Sequence, residues 1–92
     1  MTVRVRDLRV RQAQESGIIV GLPRAFAATT ALVADLLVGT HIWSDAMLMF
    51  ADIGRHQGAT WKVPITEGWW MLFDWMDGIG AVELRMHNDD YD

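Results

Sequence analysis

The sequence predicts a single α+β domain over residues 1–92, in the order β-α-α-β-β-β, with two helices packed on one face of an antiparallel sheet. Three observations predict it. Residues 61–87 alternate apolar and polar side chains over three runs, the signature of half-buried strands. Glycine-bearing turns, Glu67-Gly68 and Asp77-Gly78, separate those runs and make them a meander. Upstream, two apolar stripes recur at helical spacing between residues 24 and 53.

The first element is an expected strand over residues 2–6 (TVRVR), with Val3 and Val5 on one face. Its pattern shifts at Asp7 and resumes at Leu8 and Val10, which implies either a bulge or a change from strand to helix. Residues 12–17 are polar and read as a loop or a loose helical turn. Pro23 suits the start of a helix over 24–38 that Gly39 closes. Phe26, Thr30, Val33 and Leu37 form its buried stripe, flanked by Ala27 and Ala34. Leu32, Leu36 and Val38 point elsewhere, so this helix needs cover on a second side. In the second helix Ser44 is the expected N-cap and Gly54 the end. Trp43 and Leu48 stand in staple positions, and Ala46, Met49, Phe50 and Ile53 form the core stripe. Residues 54–60 (GRHQGAT) read as a flexible connection.

In the meander, a two-residue loop Asp77-Gly78 pairs Met76 with Ile79, Trp75 with Gly80, Phe73 with Val82, Met71 with Leu84 and Trp69 with Met86. Trp69, Met71, Phe73, Trp75, Val82, Leu84 and Met86 then share an apolar face. Trp70, Leu72, Asp74, Glu83, Arg85 and His87 take the other. For the preceding hairpin a three-residue loop, Thr66-Glu67-Gly68, pairs Ile65 with Trp69, Val63 with Met71 and Trp61 with Phe73. Pro64 lacks an N–H, so its strand is expected to be an edge or to bulge there.

Composition bounds the function. The chain is 51% apolar with five Trp and six Met, more than one core of 92 residues can hide. That excess predicts a homo-oligomer or a small apolar or cationic ligand, bound through the Trp70, Leu72 and Met76 surface with Trp43. The N-terminal arginines (Arg4, Arg6, Arg9, Arg11, Arg24) outweigh Asp7 and Glu15 to give +3 over residues 1–34, whereas the remainder carries −7. A net charge of −4 argues against strong nucleic-acid binding. With no cysteine, the expected setting is a bacterial cytoplasm. No signal peptide is expected. Pro23, Arg24 and Asp35 interrupt the apolar stretch 18–38, so no membrane span is expected either.

No metal site or cofactor is expected: His41, His56 and His87 are scattered. Asp89, Asp90 and Asp92 read as a solvated acidic tail rather than calcium ligands. The groups on the outer face able to do acid–base or electrostatic work are Arg85 and His87, with Lys62 on the neighbouring strand and Tyr91 in the tail. Arg85 is expected to lie across from Trp70 as a cation–π pair.

The segments GWWMLFDWMDG (68–78) and ESGIIVGLPRAFA (15–27), with this length and element order, resemble the RelE/HigB-like toxins of bacterial toxin–antitoxin systems. Those are small ribosome-dependent mRNA-cleaving proteins. The resemblance implies RNA cleavage by Arg85, His87 and Lys62, with the ribosome and an antitoxin as partners. The chain departs from the family where Trp70 replaces an arginine, and where Asp90-Tyr91-Asp92 stands in place of a Tyr-His ending. It is also acidic where such toxins are basic.

Overall fold

A computed structural model describes residues 3–66 and 68–88; the expected acidic tail, with Tyr91, and the loop residue Glu67 lie outside the described residues. The class is α+β, as the sequence predicts, with three helices followed by a four-stranded antiparallel sheet. The elements are α1 (Leu8–Ser16), α2 (Arg24–Gly39), α3 (Trp43–Met49), β1 (Gly54–Gln57), β2 (Thr60–Thr66), β3 (Trp69–Met76) and β4 (Gly80–Asn88). The strands lie in chain order, β1-β2-β3-β4.

The N-terminus departs from the expected order. Residues 3–6 do not form a full strand: Val5 makes one isolated parallel bridge to Leu84 at the open edge of β4. Val3 and Arg4 carbonyls accept from the Glu83 and Leu84 N–H groups at 2.8 and 3.0 Å, and Arg6 N–H donates back to Leu84 at 3.0 Å. The chain then turns into α1, because Asp7 caps it: one carboxylate oxygen accepts from the Arg9 N–H at 2.9 Å. The apparent alternation at Leu8 and Val10 is therefore helical. Val10 and Ala13, three apart, are buried, while Leu8 is exposed. Gly17 ends α1 with φ 73°, and its N–H donates to Ala13.

Asp7 also staples this segment to the sheet. Its second oxygen accepts from the Met86 N–H at 3.1 Å and from Arg9 Nη2 at 2.8 Å. Burial raises the carboxyl's pKa. The Arg9 side-chain hydrogen bond, the Met86 and Arg9 N–H groups and the Arg9 charge outweigh that, leaving it below the usual value. Arg4 ties the same segment to two elements, donating to the Ala81 and Val38 carbonyls at 2.8 Å each. Val38 lies in the last turn of α2, where a cation also complements the helix dipole.

Helix α2 buries Phe26, Ala27, Thr30, Val33, Ala34 and Leu37, the expected stripe, and lies over β2, β3 and β4. The buried Thr30 returns its hydroxyl to the Phe26 carbonyl at 2.9 Å. Helix α1 leans on α2 and β4. Helix α3 is shorter than expected. Ile42, not Ser44, occupies the N-cap without a side-chain bond, and the helix stops at Met49. Leu48 is 84% exposed, so no staple forms. Phe50 and Ile53 still reach the core, from a turn closed by Ile53 N–H to the Phe50 carbonyl.

The meander keeps the predicted pairs Trp61–Phe73 and Val63–Met71. Pro64 pairs with Trp70 and a bulge follows, so Thr66 rather than Ile65 opposes Trp69. Pro64 lies beyond the reach of β1, which extends only as far as Lys62 along this strand. The β3–β4 turn is one residue longer than expected. Ile79 N–H donates to Met76, Gly78 at the third position has φ 86°, and Met76 pairs with Gly80. That slip places Ala81 on the helix-covered face, paired with Trp75, and moves Val82 to the opposite face beside Asp74. A bulge at Glu83-Leu84, opposite Phe73, adds a second one-residue displacement. The two sum to an even number, so Leu84 and Met86 stay in the core as expected. Glu83 takes the positive φ of 57° that the bulge needs.

The remaining missed element is β1. Its sequence has no apolar alternation; Arg55 packs its guanidinium 4.4 Å from the Trp61 ring instead, on the strand it pairs with.

Candidate functional site

Two surfaces could carry function: the outer face of the sheet, and the junction of α2 with α3. The outer face is built from rows of directly paired residues. Lys62, Leu72 and Arg85 form one row, Pro64, Trp70 and His87 the next, and Thr60, Asp74 and Val82 a third. Lys62 Nζ lies 4.3 Å from the Trp70 ring centroid, so the cation over Trp70 is Lys62 rather than the expected Arg85. Arg85 turns the other way, donating to the Glu83 carbonyl at 2.6 Å and to Thr60 Oγ1 at 3.3 Å. Its Nη2 lies 3.6 Å from Asp74 Oδ1, which in turn accepts from Thr60 at 2.8 Å.

This face is concave. In a flat sheet β1 and β4 would lie three strand spacings apart, about 14 Å. Yet the His56 ring on β1 meets the His87 ring on β4 with centroids 4.8 Å apart and planes at 64°. The twist of the sheet lets side chains of its two outer strands meet over the middle ones. Leu72 and Val82 are 7% and 2% exposed, and both lie outside the main core cluster, on this curled side. The expected contact surface is thereby divided. Leu72 is buried, Trp70 is half-buried beneath Lys62, and Met76 stands at the rim by the turn, 37% exposed. Trp43 lies on the opposite face, against Trp61 at 4.7 Å and Trp75 at 5.1 Å. There it covers the end of the core.

Arg85, His87 and Lys62 do share the outer face, as the sequence places them. The residue missed is His56, because nothing in GRHQG signals a strand that curls toward His87. Together the four supply two imidazoles, one cation over an aromatic ring and one cation tied to a carboxylate. That set can transfer protons and attract an anion. Among the described residues, no group of three or more His, Cys, Asp or Glu comes together.

The second surface was not legible as a site. Gly39, Thr40, His41, Ile42, Asp45, Leu48 and Met49 line an open cavity of about 540 Å³. Among its lining residues Ile42 is 60% exposed, and Leu48 and Met49 are exposed along α3. The cavity floor is anchored to the sheet. His41 Nδ1 lies 3.0 Å from the Ile79 carbonyl and donates to it. Gly80 passes so close that a Cβ there would sit 2.5 Å from the Thr40 carbonyl oxygen. No described helix is long and apolar enough to cross a membrane. No family model and no curated protein matches this chain.

Proposed function

We propose that this protein is a non-catalytic interaction module, one that self-associates in the cytoplasm through the apolar surface of α3. The observation that carries this reading is that Ile42, Leu48 and Met49 stand exposed around an open cavity of about 540 Å³. Single exposed apolar residues are ordinary, but a contiguous set beside a cavity marks a contact surface. Met side chains adapt to such contacts because they are unbranched and polarizable. Leu32 and Leu36, exposed on α2, extend the same tendency. Light scattering across a hundredfold dilution tests it. The wild type is expected to exceed the mass of one chain at high concentration, and Leu48→Asp to stay monomeric. A wild type that is monomeric throughout would reject the reading.

A second reading, the ribosome-dependent mRNA-cleaving toxin, is favoured by one observation. Lys62, Arg85 and His87 share a concave face with His56, around Trp70. On that reading an imidazole exchanges protons with the 2′-hydroxyl and leaving group, while Lys62 offsets phosphate charge. Arg85 would have to leave Asp74, a partly exposed pair that costs little to break. Induced expression in bacteria distinguishes the readings: growth arrest relieved by Arg85→Ala supports the toxin, and normal growth with soluble protein excludes it.

A further inference from the structure

We infer that self-association is head-to-tail: the loop between α1 and α2 of one copy seats in the α2–α3 cavity of a second. This arrangement rests on the self-association proposed above and names the surface that meets α3. The loop presents an apolar knob of fixed shape. Ile19 is buried in the core, and its carbonyl accepts from the Leu22 N–H at 3.1 Å. Its neighbours Ile18 and Val20 are exposed, Val20 at 87%. Arg24, also exposed, follows at the start of α2. The cavity is the counterpart, with Ile42, Leu48 and Met49 as apolar lining and Asp45 as its carboxylate.

Charge selects this pairing. A guanidinium at a helix N-terminus meets the positive end of the helix dipole, so Arg24 gains from a nearby acid. Among the described residues, neither Arg24 nor Asp45 has an ion-pair partner within its own chain. The wider field agrees, since residues 1–34 carry +3 and residues 35–92 carry −7. A twofold contact of α3 on α3 would instead bring two acidic regions together. Distance makes the occupant a second copy. The knob precedes α2 and the cavity follows it, and the 16 residues of that helix span about 24 Å. One chain therefore cannot fill its own cavity. Each contact leaves a knob free on one copy and a cavity free on the other, unless a ring closes.

The test is light scattering of the full chain at high concentration, using Val20→Asp, Leu48→Asp and their equimolar mixture. Each variant alone is expected to show the mass of one chain. The mixture is expected to show the mass of two, because Val20→Asp keeps an intact cavity and Leu48→Asp an intact knob. Arg24→Glu and Asp45→Lys, both at exposed positions, are each expected to lower the associated fraction and, combined in one chain, to restore it. A wild type with the mass of one chain would reject self-association itself. A wild type that associates, with Val20→Asp associating equally or the mixture remaining at the mass of one chain, would overturn the head-to-tail arrangement alone.

Discussion

The two faces of this sheet are made of the same strands but held by different forces. The covered face is apolar: Val63, Met71, Phe73, Leu84 and Met86 are buried against Phe26, Val33 and Leu37 of α2 and Val10 of α1. Its stability scales with area removed from water, without demanding a particular partner for each group. Among the described residues, the concave face encloses Leu72 and Val82. Its rim is a set of specific pairs: Lys62 on Trp70, His56 on His87, and Arg85 with Thr60 and Asp74. Partly exposed polar pairs contribute little energy but much geometry. The contrast teaches that the first face sets how stable the domain is, and the second what shape its surface takes.

The largest effect that could break this contrast is in the covered face. Phe73→Ala is expected to cost about 3–5 kcal/mol in urea unfolding, because it empties a fully buried aromatic site. A cost below about 1 kcal/mol would mean that the core lies elsewhere. Gly80→Ala comes next, at about 2–4 kcal/mol. It places a Cβ against the Thr40 carbonyl and forces a non-glycine residue to φ 109°. A Gly80→Ala protein with an unchanged midpoint would show that the β3–β4 turn does not dock on the α2–α3 junction.

Asp7 sharpens the comparison, since it pins the open sheet edge by charge-assisted bonds. Asp7→Asn is expected to lose about 1–2 kcal/mol at neutral pH. Because folding lowers this carboxyl's pKa below its ordinary 3.8, its contribution is complete above that value. It fades as pH falls through the folded value. Wild type and variant should therefore differ above pH 3.8, draw together as the pH falls below it, and meet only below the folded value. The smallest effect belongs to the concave rim. Lys62→Gln is expected to change stability by less than about 1 kcal/mol, the range of an exposed cation–π contact, while altering Trp emission. If it matched the cost of Phe73→Ala, the two faces would not differ in kind.

The α2 stripe and the pairs Trp61–Phe73 and Val63–Met71 were legible in the sequence, because apolar spacing reports directly which side of an element meets the core. Leu84 and Met86 kept their predicted face for a different reason: a longer turn and a bulge displaced them twice. Val82 was misplaced because it lies between those two displacements, where one residue of slip inverts the face. The start of α1 was ambiguous, since Leu8 and Val10 fit an alternating pattern and the capping role of Asp7 depends on a loop geometry. Of the candidate groups, Arg85, His87 and Lys62 were placed on their face by alternation alone. Their partners were not, because a long side chain can reach several neighbours and only packing selects one.

The sequence by itself determined the α+β class, the C-terminal meander and most of the core, since local periodicity and turn residues encode which groups leave water. Only the tertiary structure decided that residues 54–57 form a fourth strand, that Trp43 closes the core, and that Leu72 is buried. It alone brought His56 to His87 and opened the cavity beside α3. Those outcomes depend on how far the sheet coils and where the helices end. Both are set by contacts between residues distant in the chain, which no local pattern records.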